Sequence, residues 1–345
     1  MTHLSVAGWL YGRAALARRR YYGRHAEARV RLRCPVISIG SLAVGGSGKT
    51  PAAATLARLL LDLGERPAIL SRGYARRDAP DGVTVVSDGR RVRADLDRAG
   101  DEPLMLARSV PGVAVLVSAD RHLAGALAER KLGATVHLLD DGFQHVRLER
   151  DIDLLIVDAA DVRDGRPMPA GRLREPLMAA READAVIAVG SDVEMQEIAD
   201  RLRPARVFNG RRILEAPRLD GDGVLSGSAP IGGRRVVALA AVARPDLFVE
   251  AVRRAGFDPA ATMTYRDHHP FTRHDIDRLE AEARRVGAEL LLTTEKDLIR
   301  LRPFRPLPFP VAVLPLRFAI EPAEAFRLWI RTSLATIRNS VAGGQ

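Results

Sequence analysis

The sequence predicts an α/β protein: a P-loop NTPase-type, mostly parallel sheet with helices on both faces, a smaller C-terminal α/β domain, and a basic amphipathic helix at the N-terminus. Three observations carry this. From Pro35 onward, short apolar runs alternate with helical stretches, the pattern of strand–helix–strand crossovers. Residues 43–50 read AVGGSGKT, directly after an apolar run and before a helical one, which is the setting of a phosphate-gripping loop. A Gly-rich stretch, GDGVLSGSAPIGG at 221–233, interrupts the alternation, which then restarts. At 345 residues the chain exceeds the size at which one core usually stops growing. We therefore expect an arm at 1–34, a nucleotide-binding domain at 35–205 and a second domain at 206–345.

The arm reads as helix from Thr2 to Arg33. It carries eight arginines against one acid, Glu27, and so holds most of the net charge of +10. Trp9, Tyr11, Tyr21 and Tyr22 sit among those arginines. Rings beside basic groups suit an anionic membrane surface, where the rings lie at headgroup depth. The competing reading is a solvated helix packed on its own domain. No run of about 18 apolar residues exists to span a bilayer. The first residues lack the basic start and small-residue cleavage site of a secretory signal, so the body is expected in the cytoplasm. Cys34 is the single cysteine; it excludes an intrachain disulfide and reads as a small buried hydrophobe. The scarcity of lysines and aromatics outside the arm argues against a nucleic-acid partner, and nothing points to an obligate protein partner.

In order, PVISIG is the first strand and Lys49–Leu63 the helix after the loop, with Pro51 tolerated in its first turn. RPAILSR and VAVLVS follow as strands, and VTVVSDGRRVRA between them reads as a hairpin turning at Asp88-Gly89. A helix at Asp120–Leu132 leads into TVHLLDD, then IDLLIVD and AVIAVG. In the second domain RRVVALAAVA, ATMTY, ELLLTT and VAVLPL are strands, with helices at Asp246–Ala255 and His274–Val286.

Ala43, Val44, Gly45, Gly46, Ser47, Gly48, Lys49 and Thr50 form the nucleotide cradle. Its glycines let backbone amides curl around a polyphosphate, Lys49 reaches the β and γ oxygens, and Thr50 offers its hydroxyl to magnesium. Of 53 basic side chains only Lys49, Lys131 and Lys296 are lysine, so a lysine kept inside a motif marks a site wanting a compact point charge. A P-loop enzyme also needs an acid at the end of a neighbouring strand for the metal. Asp140 and Asp141 supply it, with Asp158 as a weaker competitor and a turn-forming role as the alternative for each. The guanine-reading pattern is missing, since TEKD at 294–297 sets Lys296 beside Asp297; adenine is favoured.

The run VISIGSLAVGGSGKTP, with Pro directly after the threonine, is similar to the tetraacyldisaccharide 4′-kinase family of lipid A biosynthesis. So are SRGY (71–74), GDEP (100–103), ADRH (119–122), LLDDGFQH (138–145), PAGRLREP (169–176), ARP (243–245), DHHPFT (267–272) and TTEKD (293–297), in the family's order. The departures are Ser41, where Asn is more frequent, and Ala241, where Gly is usual. The resemblance implies an ATP- and magnesium-dependent transferase. It would move the γ-phosphate of ATP to the 4′-hydroxyl of a tetraacyldisaccharide 1-phosphate, giving lipid IVA on the way to lipopolysaccharide. The place implied is the cytoplasmic face of the bacterial inner membrane, with the arm as the membrane contact.

Site roles follow from the same resemblance. A sugar hydroxyl needs a base to accept its proton. Asp101 of GDEP is that base, paired with His268, or with its neighbour His269, in a dyad formed across a cleft that closes over both substrates. Tyr74, Arg121, Gln144, Arg174 and Glu175 are expected near the lipid substrate or, for the charged ones, in structural salt bridges. Lys296 either nears the nucleotide or pairs with Asp297. The alternative activity is a membrane-associated P-loop ATPase acting on a protein partner.

Overall fold

The computed structural model describes residues 3–46, 48–74, 76–220 and 234–342. Ser47 of the phosphate loop and the Gly-rich stretch 221–233 lie outside the described residues. The chain forms two compact units, Met1–Arg212 with Phe318–Gln345, and Ile213–Arg317.

The chain begins with α1 (His3–Arg24), β1 (Val36–Ser41), α2 (Lys49–Asp62), β2 (Pro67–Ser71), β3 (Thr84–Asp88), α3 (Leu96–Ala99), α4 (Asp101–Ser109) and β4 (Ala114–Val117). It continues through α5 (Arg121–Leu127), β5 (Val136–Asp140), β6 (Ile152–Asp158), α6 (Ala159–Asp164), β7 (Ala185–Val189), α7 (Asp192–Leu202) and β8 (Val207–Leu214). After these come β9 (Arg218–Leu219), β10 (Val236–Ala240), α8 (Pro245–Arg254), β11 (Ala261–Thr264), α9 (Arg273–Arg285), β12 (Leu290–Thr293) and α10 (Glu295–Leu301). The last elements are β13 (Val311–Val313), β14 (Leu316–Glu321) and α11 (Ala323–Ala342).

The larger sheet has nine strands in the order β14-β8-β7-β6-β1-β5-β2-β4-β3. Strands β1, β2, β5 and β7 are buried along their whole length, as expected where helices cover both faces of parallel strands and no polar face is needed. Neighbours from β8 through to β4 run parallel. The edge strand β3 is antiparallel to β4, so the segment expected as a hairpin arm finds its partner there. Its Asp88-Gly89 turn closes through an isolated Ser87–Val92 bridge, with the Arg93 N–H donating to the Val86 carbonyl at 2.7 Å. Leu56 and Leu60 of α2, one turn apart, are fully buried, as are Ile37 and Ile39 of β1 and Leu138 and Leu139 of β5. Register sets Ile39 opposite Asp140. The carboxyl ends of β1 and β5 therefore release the phosphate loop and the double aspartate side by side, at the edge where open α/β sheets bind ligands. The second unit holds a five-stranded sheet, β11-β10-β12-β13-β9, parallel except for β9 against β13.

Two boundaries differ from those expected. Helix α1 ends at Arg24 and not at Arg33, because the stretch before β1 runs extended: the Val30 N–H donates to the Arg147 carbonyl at 2.9 Å and Leu32 is buried. Residues 318–345, expected with the second domain, belong to the first unit. The strand β14 extends the nine-stranded sheet beside β8, and the Thr55 hydroxyl donates to the Phe318 carbonyl at 2.5 Å. Phe208 packs against Phe326 and Trp329 of α11 with ring centroids 4.9 and 5.5 Å away. Buried Phe326, Ile330 and Leu334, each four residues on, form the apolar stripe that draws α11 back.

Candidate active site

The phosphate loop leaves β1 and enters α2, whose cap is Gly48. Gly45, Gly46 and Gly48 have φ of +66°, +65° and +88°, the left-handed region that glycine enters without a Cβ penalty and that curves successive amides around an anion. The loop is strapped from outside: the Val44 N–H donates to the Arg172 carbonyl at 3.0 Å, and the Arg172 guanidinium donates to the carbonyls of Val44 (2.8 Å) and Gly45 (3.1 Å). Ala43 forms an isolated bridge with Leu173. Lys49 donates to the Ser41 hydroxyl at 3.1 Å and lies 3.8 Å from the Asp141 carboxylate. Burial, helped by the nearby Arg174 charge, lowers its ammonium pKa, while Asp141 works the other way.

Asp140 ends β5 at 4% exposure, and its Oδ1 has no hydrogen-bond partner among the described residues. Burial first, then the charges of Glu102 and Asp141, push its carboxyl up to about 8. Asp141 sits at φ +55° and is gripped by both prongs of Arg174, at 2.6 and 2.8 Å. Partial enclosure opposes its ionisation, but Lys49 and Arg174 hold its carboxyl below the ordinary range. Adjacent carboxyls are thus driven apart in protonation by their surroundings. Two hard carboxylates and the Thr50 hydroxyl fit magnesium, and the unpartnered buried oxygen of Asp140 is what a cation there would satisfy. Asp158 takes the turn role instead: it accepts from the Ala160 N–H at 3.1 Å to cap α6 and pairs with Arg212 at 3.3 Å.

Asp101 opens α4 at 5% exposure, its Oδ1 accepting from the Glu102 N–H at 2.9 Å. Arg121, 7% exposed, has its guanidinium lowered to about 10 by burial and by the like charge of Arg72. It stays cationic at neutral pH, in surroundings an incoming anion would relieve. Gln144 donates to the Ser41 carbonyl at 3.1 Å, and Tyr74 is two-thirds exposed. Glu175 has a neighbour that the sequence did not suggest: both of its oxygens accept from Arg19 of α1, at 2.6 and 2.9 Å.

In the second unit His268 adopts φ +59°. The Lys296 ammonium lies 3.1 Å from the His268 Nε2 and 3.1 Å from the Asp267 carboxylate, to which it donates. Lys296 thus turns away from its neighbour Asp297, which is bonded to the Ala241 N–H and Arg300. The neighbouring His269 contacts Asp275 at 3.1 Å and stacks on Tyr265, so it is committed to the start of α9.

Sequence reasoning missed Ser41 as the partner of Lys49, Glu102 as the charge that raises Asp140, Arg172 as the strap, and Arg19. The first three lie inside the quoted motifs and were within reach. Arg19 lies in an arginine run, where nothing distinguishes the one that turns inward.

A glycine-curved loop whose lysine faces strand-end carboxylates defines a class: P-loop enzymes that handle the terminal phosphate of a nucleotide. Known proteins narrow it. Residues 1–335 match the family described as LpxK, tetraacyldisaccharide-1-P 4'-kinase. A tetraacyldisaccharide 4'-kinase of Geobacter metallireducens is 40% identical over 306 residues, covering 87% of this chain and 88% of its own. One from a Methylobacterium species is 38% identical over 344 residues, covering 99% and 94%. The "apo" form crystal structure of LpxK from Aquifex aeolicus, in complex with ATP, superposes with a TM-score of 0.74 at 31% identity, covering 95% of this chain and 97% of that one. The chain belongs to the tetraacyldisaccharide 4'-kinase family. It is accordingly an ATP-dependent kinase of lipid A biosynthesis. Among the described residues no helix is long and apolar enough to cross a membrane.

Proposed function

We propose that the chain phosphorylates the 4′-hydroxyl of a tetraacyldisaccharide 1-phosphate through the following division of labour. The observation that carries the proposal is Lys49, half-buried between Ser41 and Asp141 at the mouth of the glycine loop. On nucleotide binding Lys49 exchanges the Ser41 hydroxyl and the Asp141 carboxylate for the β and γ oxygens of ATP, while the amides of the loop accept the remaining charge. Thr50, Asp140 and Asp141 would hold magnesium, which would supply charge neutralisation for the transferring phosphoryl group. To take part, Asp140 must lose its proton, while Arg174 keeps Asp141 aimed. Asp101 accepts the proton of the 4′-hydroxyl as its oxygen bonds to the γ-phosphorus and the bond from that phosphorus to the β–γ bridging oxygen breaks, releasing ADP. His268, which the family resemblance pairs with it, is held within the second unit by Lys296 and Asp267. Arg121 receives an anionic group of the substrate, and Tyr74 and Gln144 complete that side.

The substrate carries four acyl chains, and α1 offers it a surface. Leu4, Trp9, Leu10, Tyr11 and Tyr21 of that helix are all exposed. Arg13 lies over the Trp9 ring at 4.8 Å and Arg18 over Tyr22 at 5.7 Å, the pairing of ring and cation that suits an anionic headgroup layer. We place the enzyme at the cytoplasmic face of the inner membrane as a peripheral protein.

The test is transfer of label. With γ-labelled ATP, magnesium and detergent-dispersed tetraacyldisaccharide 1-phosphate, label is expected in the lipid. Label released only as free phosphate would reject the proposal in favour of an ATPase acting on a protein partner.

A further inference from the structure

Helix α1 has an inward face as well as an outward one. Its residues Gly8, Gly12 and Arg19 are buried. A Cβ on Gly8 would meet the Pro167 carbonyl at 2.9 Å, and one on Gly12 the Pro176 ring at 3.0 Å. The helix backbone therefore lies directly on the 167–176 segment, the one that straps the phosphate loop. Two turns further along, Arg19, 4% exposed, makes the bidentate pair with Glu175. The same guanidinium donates to the Phe143 carbonyl at 2.8 Å and lies 4.1 Å from the centre of the Phe143 ring. Arg18 donates to the next carbonyl, Gln144, at 2.9 Å.

These partners flank the site. Phe143 and Gln144 come one residue past the double aspartate, after Gly142, and Glu175 follows Arg174, which grips Asp141. A non-glycine residue at φ +55° such as Asp141 persists only where its surroundings over-determine it, and Arg19 ties the two segments that do so. A buried ion pair is a poor source of net stability, since an apolar pair of similar volume often serves as well or better. Its use here is geometric. We infer that Arg19 is a positioning residue of the phosphoryl-transfer site: from within the N-terminal helix it holds the Asp140–Gln144 turn against the Arg174–Glu175 segment, fixing the carboxylates that receive the metal. The inference rests on Asp140 and Asp141 being those carboxylates.

The test uses the full chain and separates geometry from stability. Arg19→Met alone strands Glu175 and should lower the melting temperature. Arg19→Met/Glu175→Met replaces the pair by apolar side chains and should recover most of that loss. If Arg19 positions the turn, the double variant still binds Mn2+ more weakly by about 10-fold or more. It also loses about 10-fold or more in kcat, with KM for the disaccharide within about twofold and co-sedimentation with anionic vesicles unchanged. Wild-type Mn2+ affinity and kcat in the double variant would overturn the inference. Arg19→Lys keeps the charge but loses the fork; it should show the same losses in milder form, and decides the matter if the double variant does not fold. Asp140→Asn in the same Mn2+ titration distinguishes the two ideas. Unchanged affinity there rejects the metal reading, whereas the kcat of the double variant still judges Arg19.

Discussion

With Asp140 as a proposed metal ligand, divalent-ion binding should depend on pH. Its carboxyl is raised from 3.8 to about 8, so in the metal-free protein it is mostly protonated at neutrality, and a divalent ion must displace that proton. For one released proton the apparent affinity follows the ionised fraction, so Mn2+ affinity of the nucleotide-free chain should rise by about 10-fold or more between pH 6.5 and pH 8.5. Leaving nucleotide out removes the titration of ATP itself. Without metal the sign for stability is opposite: the folded state holds the Asp140 proton more tightly than the unfolded chain, so this group's contribution declines as pH rises from 3.8 toward about 8 and then levels. Asp140→Asn should abolish the slope of affinity with pH as well as weaken binding. An affinity that is flat from pH 6.5 to 8.5 in the wild type, or an equal slope in Asp140→Asn, would refute the reasoning.

Other perturbations have defined outcomes. Lys49→Ala should remove nearly all turnover, about 100-fold or more in kcat, because the point charge acts on the transferring phosphoryl oxygens; single-turnover transfer of label measures it. Lys296→Met, which releases the His268 ring, should lower kcat by about 10-fold while leaving KM for ATP within about twofold. A raised KM for ATP with a matching fall in kcat/KM and unchanged kcat would assign Lys296 to nucleotide binding instead. Trp9→Ser/Leu10→Ser on the exposed face of α1 should reduce co-sedimentation with anionic vesicles at unchanged melting temperature, and undiminished binding would move the membrane contact elsewhere.

The parts of this fold visible in the sequence are those set by local pattern. The loop declares itself because glycines, a lysine and a threonine stand between a buried strand and a helix, and no other spacing performs that task. The double aspartate declares itself because it ends an apolar run. What stayed hidden depends on partners distant in sequence. Glu175 is indistinguishable from a surface acid until Arg19, 156 residues away, is seen beside it. The return of α11 requires Phe208 to be opposite Phe326 and Trp329, which periodicity alone does not reveal. Asp158 and Asp140 both end strands, and only the neighbours separate them: an α6 cap and Arg212 for the one, an unpartnered oxygen for the other. His268 and His269 are adjacent in sequence, yet Lys296 faces one and Asp275 the other.

Asp101 and His268 are proposed, from the family resemblance, to share one role, acceptance of the proton of the acceptor hydroxyl. Steady-state kcat for Asp101→Asn, His268→Gln and the double variant tests it most directly. A shared role predicts that each single change costs about 100-fold or more and that the double variant falls little below the worse single one. Losses that multiply in the double variant would show two independent residues and contradict the account.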